Sequence, residues 1–423
     1  MVGPASQPAR AGSGLASSIP PILRRLLVIF ALAALAALVA LAAVLLSSDD
    51  DGSPPGEPAA ATDTVAAEAD LEECAALAED DAARDCYATA LAALVGEAAH
   101  PSEALEEIAL AAYSQQDERL LGDCHGLMHT VGREYARERG VTLADLMAHL
   151  PETNEPGCAA GFAHGLVTGV APEIDVSRPQ AAAEICSETE TRYQRYSCVH
   201  GFGHAFMRIV REELPEALAL CSALGAGSAP DCAQGAYHDY WFAVVGADDT
   251  QPPSEVIEDP RALCAEQAPE FVRPCWYRAY VDNRPEEPVD DAGDIDRLCD
   301  GLAGLQREAC VTAASVVGPT DPRDQLALCT GLEGTDAVSC IRGTKVQNLL
   351  LSPPEDLVAL VRQCDGFPGE TRLACYRWLG KVMTVMTNGE FESYGCRQAP
   401  DAGSRRACVA GARESDGPLE TFS

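Results

Sequence analysis

The spacing of the cysteines is the feature that most constrains the fold of this chain. Of its 18 cysteines, sixteen fall in order into eight local pairs, each with ten or eleven residues between its two members. An even number of regularly spaced cysteines indicates a disulfide framework when the compartment is oxidising. No Cys-x-x-Cys pair is present, which disfavours thiolate zinc sites and thioredoxin-type redox chemistry. The predicted disulfides join Cys74 to Cys86, Cys186 to Cys198, Cys221 to Cys232, Cys264 to Cys275, Cys299 to Cys310, Cys329 to Cys340, Cys364 to Cys375 and Cys396 to Cys408.

The segments around each pair have the features of two short helices. An amphipathic run precedes each first cysteine, a turn-rich stretch follows it, and an apolar run follows the second cysteine. Several of the first runs carry a proline where a first helical turn accepts one, as at Pro215, Pro260, Pro322 and Pro354. From Cys198 onward the second cysteines recur at intervals of 30 to 43 residues, which fits one helical hairpin per unit. We therefore predict an all-α array of disulfide-stapled helical hairpins, a tetratricopeptide-like repeat or solenoid.

Two cysteines do not follow this local pattern. Cys124 and Cys158 lack a partner ten or eleven residues upstream, where Tyr113 and Met147 stand instead. Because the total is even, we predict that these two cysteines pair with each other and link two neighbouring hairpins.

An unbroken apolar run of 21 residues, 26–46, lies near the N-terminus, with Arg24 and Arg25 before it and Asp49 after it. This run is long enough to span a bilayer, and the arginines predict that the N-terminus is cytoplasmic. We favour a signal anchor that holds the protein in the cell membrane; the alternative is a cleaved signal peptide and a secreted protein. In both cases the rest of the chain is extracytoplasmic, where disulfides form.

The formal net charge of −35 excludes nucleic acid as a partner, because a phosphate backbone would be repelled. The acidic, proline-rich stretches 47–70 and 247–260 indicate a tether and a linker. The predicted organisation is a cytoplasmic N-terminus (1–25), a transmembrane anchor (26–46), the tether (47–70), histidine-bearing repeats (71–246), the linker (247–260), C-terminal repeats (261–412) and a tail (413–423).

The histidines are concentrated in one part of the array. The chain has eight, and six of them lie in four related segments that share a cysteine followed by Gly-x-x-His. His200 follows His125 at the same interval at which His204 follows His129, and the interval from His164 to His238 is almost identical. This spacing indicates an internal duplication, in which each copy supplies a His-x-x-x-His pair and one histidine from the next hairpin. The glycines three residues before a histidine indicate close approach of neighbouring backbones.

Histidines at positions i and i+4 share a helix face, so their imidazoles can bind one ion together with a third histidine. We predict that His125, His129 and His164 form one trio and His200, His204 and His238 another, with the two trios close together. Such sites suit one or two ions of copper, zinc or iron, and six histidines resemble coupled dicopper centres in ligand count alone. Candidate carboxylates beside the ion or substrate are Asp123, Glu134 and Asp239, and Arg133 and Arg208 are candidate substrate contacts or partners of nearby glutamates.

Three interpretations of the histidines stay open from the sequence: metal ligands, structural hydrogen-bonding groups, or a pH-dependent switch. Two function classes follow. One is a metal-dependent enzyme or metal-handling protein; the other is a non-catalytic scaffold whose repeat surface binds a protein partner. The sequence alone does not decide whether the chain is an enzyme.

Overall fold

The computed structural model describes residues 71–414, apart from residues 116–117, 154, 156, 246–258, 284, 286–287, 347–353, 388, 390 and 392–394. The predicted N-terminus, transmembrane anchor and tether (1–70) therefore lie outside the described residues, as do most of the predicted linker and residues 415–423 of the tail. Within the part that is described, no helix is both long enough and apolar enough to cross a bilayer.

The prediction of an all-helical fold is confirmed, since the described residues contain helices and no strand. Short 3₁₀ helices occur at Leu146–Ala148, Ala171–Glu173, Cys364–Gly366 and Cys396–Gln398. The α-helices with described bounds are α1 (Asp80–Glu97), α2 (Pro101–Gln115), α3 (Glu118–Arg139), α4 (Cys158–Gly169), α5 (Gln180–Cys186), α6 (Arg192–Ile209), α7 (Leu214–Ala223), α8 (Ala229–Val245), α9 (Pro260–Ala265), α10 (Pro269–Asp282), α11 (Ala292–Leu298), α12 (Gly304–Val316), α13 (Pro322–Cys329), α14 (Gly334–Arg342), α15 (Pro354–Gln363), α16 (Gly369–Met386) and α17 (Ala402–Ala412).

All of the predicted disulfides are present. Each local pair joins cysteines 11 or 12 positions apart, and their Cα atoms lie 5.4–5.8 Å from each other. The two exceptional cysteines also pair as predicted: the Cys124–Cys158 disulfide joins α3 to α4 over a Cα–Cα distance of 5.0 Å. No cysteine is free. Each local bridge therefore fixes the short helix of a hairpin to the longer helix that follows.

The helices begin where the sequence indicates. Thr191 caps α6 through a capping box with Gln194, which satisfies backbone N–H groups that have no partner within the helix. Asp259 and Asp321 cap α9 and α13 without a capping box: each carboxylate accepts from the backbone N–H two residues on, and each residue stands directly before the first-turn proline. The predicted helix starts at Pro260 and Pro322 are thereby confirmed.

The longer helices pack side by side in chain order. The contacts run from α3 to α4, then through α6, α8, α10, α12, α14 and α16 to α17. The shorter helices α7, α9, α11 and α13 each pack on the longer helix of their own hairpin. The helices on the two sides of the predicted linker, α8 and α10, also contact one another directly. Equivalent positions of successive long helices thus become neighbours in space.

Candidate metal centre

The six histidines of the matched segments lie in one cluster, which we call the histidine cluster. They are carried by four helices that are consecutive in the packing order, α3, α4, α6 and α8. The ring centroids of His164 and His200 are 4.3 Å apart, and those of His129 and His204 are 4.7 Å apart. These pairs come from different copies of the duplicated unit. The duplication therefore brings histidines of the two copies together, as the sequence predicts; His129 and His204 are equivalent positions, whereas His164 and His200 are not.

Two glycines of the Gly-x-x-His segments allow close approach of the helices within each copy of the duplicated unit. A Cβ atom on Gly161 would lie 2.1 Å from the carbonyl oxygen of His125, and one on Gly235 would lie 2.1 Å from that of His200. Cβ atoms do not approach other atoms so closely, so no other residue fits at either position. Gly126 differs, because a Cβ there would meet nothing within 4 Å. The predicted close approach is thus present at Gly161 and Gly235, is looser at Gly201, where a Cβ would lie 3.0 Å from the side chain of Val167, and is absent at Gly126.

The structure divides the cluster differently from the two predicted trios. Among the described residues, three groups have ligand nitrogens that all lie within 4.8 Å of one another. One is the predicted trio of His200, His204 and His238, whereas the other predicted trio is not among them. The remaining groups mix the two copies, and any two groups share one histidine; they are His125, His129 and His238, and His129, His164 and His204. The physical reason is that the side chains on α3 reach beyond the next helix: the ring of His129 lies near that of His204 on α6, and the ring of His125 lies near that of His238 on α8.

The trio of His200, His204 and His238 is the most buried of these groups, with 0%, 1% and 6% exposure. Nδ1 of His204 donates to the Asp239 carboxylate at 2.7 Å, which places the lone pair of this imidazole on Nε2. Nδ1 of His200 lies 3.3 Å from the hydroxyl of Tyr196, which itself donates to Gln234. Because that hydroxyl donates elsewhere, it accepts from His200, and the lone pair of His200 is also on Nε2.

These two Nε2 atoms are buried and have no hydrogen-bond partner among the described residues. A buried polar atom without a partner costs free energy, and a bound ion would remove that cost. A metal-binding histidine typically donates its second nitrogen to a carboxylate or another fixed acceptor, as His204 does here. The atoms of His200 and His204 therefore fit a transition metal ion.

The histidines of the first copy contact each other more directly. Nε2 of His129 lies 3.2 Å from Nε2 of His125 and 3.3 Å from Nδ1 of His164. The carbonyl of Gly157 accepts from Nδ1 of His125, and the hydroxyl of Ser197 contacts Nε2 of His164. Nitrogens around a tetrahedral ion with bonds of 2.0–2.1 Å are also about 3.3 Å apart. This part of the cluster is compatible with hydrogen bonding and with metal ligation alike.

Burial keeps four imidazoles of the cluster neutral. It lowers the pKa of His129, His164, His200 and His238 well below 6.5, and repulsion from the neighbouring histidines lowers it further. Neutral imidazole is the form that binds metal ions. At neutral pH these four residues are therefore ready to act as ligands.

Two residues beside the cluster were missed by the sequence reasoning. Arg278 is only 1% exposed, and its Nε and Nη2 donate to Asp282 at 2.8 and 2.6 Å. Asp282 in turn lies 3.9 Å from Nε2 of His238, and burial raises its pKa to about 7. Both residues lie on α10, where no histidine pointed to the site. A signal was present, since Asp282 stands at the same interval after Cys275 as Asp239 does after Cys232.

The other candidate residues lie in different surroundings. Asp123 and Glu134 are exposed on α3, whereas Asp239 contacts the cluster through His204. The charge of Arg133 contributes to the lowered pKa of His129. The charge of Arg208 lowers the pKa of Glu212, but burial outweighs this effect and raises that pKa to about 7.

Glu212 was also missed by the sequence reasoning. Its φ of 66° and the φ of 58° at Arg211 lie in the left-handed region that residues other than glycine seldom adopt. This strained segment holds a buried carboxylate near Asp239, whose negative charge adds to the rise in the pKa of Glu212. Strain in a loop is not readable from the sequence.

Comparison with protein-family models, with curated proteins and with solved structures finds no match to this chain.

Proposed function

We propose that the chain is a membrane-anchored, extracytoplasmic helical-repeat protein that binds a transition metal ion in the histidine cluster. The observation that carries this proposal is the pair of orphaned Nε2 atoms on His200 and His204. Their second nitrogens are held by Tyr196 and Asp239, and His238 completes a three-nitrogen set. Metal-dependent catalysis and metal handling both use such a set, because three histidines leave a coordination position open.

The donor set favours zinc or copper over iron. The groups whose ligand atoms lie within 4.8 Å contain only histidines among the described residues. Non-haem iron sites usually add a carboxylate, whereas imidazole alone suits zinc and copper. Because any two groups share a histidine, the cluster supports one ion with three separate imidazoles, and a second ion requires a bridging histidine or a non-histidine ligand.

The apolar run 26–46 and the nine disulfides support the extracytoplasmic location. Disulfides persist in oxidising compartments and are rare in the cytosol. The chain-order packing of the long helices supports the repeat array, whose unit we propose to be the disulfide-stapled hairpin.

The test of the proposal is the metal content of the purified full-length chain. We expect about one zinc or copper ion per chain, and we expect His204→Ala to lose most of it because the ligand held by Asp239 is removed. His149→Ala is the matched control: His149 contacts Tyr135 at 3.2 Å and lies outside the cluster. Equal metal content in the two variants would contradict the proposal.

A scaffold that binds a protein partner is the second candidate function. The contacts of 3.2 and 3.3 Å among His125, His129 and His164 favour it, since hydrogen bonds can explain them without an ion. In that case the wild-type chain is free of metal, and its repeat surface is the functional part.

A further inference from the structure

Arg278 is buried beside the histidine cluster, and its charge lowers the pKa of three cluster histidines: His129, His200 and His238. It is joined to the cluster by Asp282, which lies 2.6 Å from its Nη2 and 3.9 Å from Nε2 of His238. The carboxylate of Asp282 accepts hydrogen bonds from Nε and Nη2 of Arg278. The remaining nitrogen, Nη1, is buried without a hydrogen-bond partner in the described part of the chain. Arginine does not lose its proton in proteins, so this donor stays charged.

The carboxylate of Asp282 offsets the charge of Arg278 on one edge of the guanidinium but does not satisfy Nη1. An unpaired N–H in the interior costs free energy, and its positive charge beside a cation site weakens the binding of a metal ion. One further anion placed between Nη1 and the ion would lower both costs. Because only Nη1 is available, Arg278 can donate to the anion from this one nitrogen. A free guanidinium would instead bind a carboxylate in a bidentate manner.

We propose that the metal centre takes a small anionic ligand, such as a simple carboxylate, between the ion at His200, His204 and His238 and Nη1 of Arg278. This inference rests on the proposed metal binding and names the class of ligand that the same site accepts. The burial of the three histidines limits the ligand to a few atoms. The anion would enter from the side of His125 and His129, the two partly exposed members of the cluster.

The test uses the full-length chain loaded with Co²⁺ and titrated with sodium azide or sodium formate, followed by the visible absorption of the cobalt. We expect both anions to change the spectrum of the wild type. In Arg278→Gln the affinity for both anions should fall at least about tenfold, whereas the affinity for Co²⁺ should be unchanged or higher. Arg273→Gln, on the same helix and paired with Glu308, should match the wild type.

Each failure has its own outcome. If the wild type does not bind Co²⁺, the proposed function fails and the anion site fails with it. If it binds Co²⁺ but neither anion, or if Arg278→Gln binds the anions as tightly as the wild type, only the anion site is overturned. Arg278→Gln leaves Asp282 buried without its partner and can prevent folding. The double variant Arg278→Gln/Asp282→Asn removes both charges and is then used with the same expectations. The titration of the wild type tests anion binding whether or not the single variant folds.

Discussion

At the scale of single residues, the second nitrogen of each imidazole decides which atom is free to bind an ion. Asp239 and Tyr196 fix the tautomers of His204 and His200, and the strength of the Asp239 contact follows from its distance of 2.7 Å. A carboxylate in this position also raises the basicity of the imidazole, which strengthens its bond to a metal. Asp239 is thus a positioning residue for the ligand His204.

We expect Asp239→Asn to weaken metal binding by roughly 10- to 100-fold without abolishing it, because the amide holds His204 less firmly. The measurement is a competition titration with a chelator of known affinity. Asp123→Asn is the matched control, since Asp123 is exposed. Similar metal affinities in both variants would show that Asp239 does not orient a ligand.

The histidines could be predicted from the sequence because the duplication repeats them at nearly constant intervals along the chain. Which of their nitrogens lie close enough to bind one ion could not be predicted, because this grouping depends on how far each helix is rotated against the next. Arg278 and Asp282 were not predicted either, since they lie on a helix without histidine. Their selection requires knowing that α10 packs on α8.

At the scale of helices, glycines at the helix contacts let the elements that carry the histidines approach one another. Gly161 lets α4 approach α3, and Gly235 lets α8 approach α6, in each case against a histidine carbonyl. The two contacts are equivalent in the duplicated units. The sequence predicts this role from the Gly-x-x-His pattern, but the pattern also predicts it for Gly126, where open space makes the glycine dispensable.

We expect Gly235→Ala to lower the free energy of unfolding by about 1–3 kcal/mol and to reduce metal affinity, because the added methyl group pushes α8 away from α6. Gly126→Ala is the control: it should be neutral or raise stability by up to about 1 kcal/mol, as alanine favours a helix. Denaturant unfolding and a metal titration measure the two effects. A Gly235→Ala variant as stable as Gly126→Ala would contradict the packing argument.

At the scale of the whole molecule, the cysteines explain why the array is predictable. A hairpin closed by its own disulfide keeps its local geometry wherever it stands, so the eight local pairs could be found by counting. The long-range contacts could not be found in this way. Helix α16 contacts α6, which is far from it in the sequence, and the charge of Lys381 on α16 lowers the pKa of the buried Asp231 on α8. Such contacts depend on small rotations that add up over many hairpins.

The two halves of the array should respond differently to the loss of a disulfide. We expect Cys221→Ala/Cys232→Ala and Cys396→Ala/Cys408→Ala each to lower stability by about 2–4 kcal/mol, because a short loop is released. Only the first should also weaken metal binding, since Cys232 lies at the start of the helix that carries His238. Thermal unfolding and metal titration of the two variants measure this. Equal loss of metal affinity in both would contradict a site confined to the histidine-bearing repeats.

X-ray absorption spectroscopy of the metal in the wild-type full-length chain is the most direct test of metal binding by the histidine cluster. We expect zinc or copper with a first shell of nitrogen and oxygen atoms at about 2.0–2.1 Å, and outer-shell scattering from about three imidazoles. A first shell that contains sulfur or lacks imidazole scattering would contradict the proposal, as would a purified chain that binds no metal.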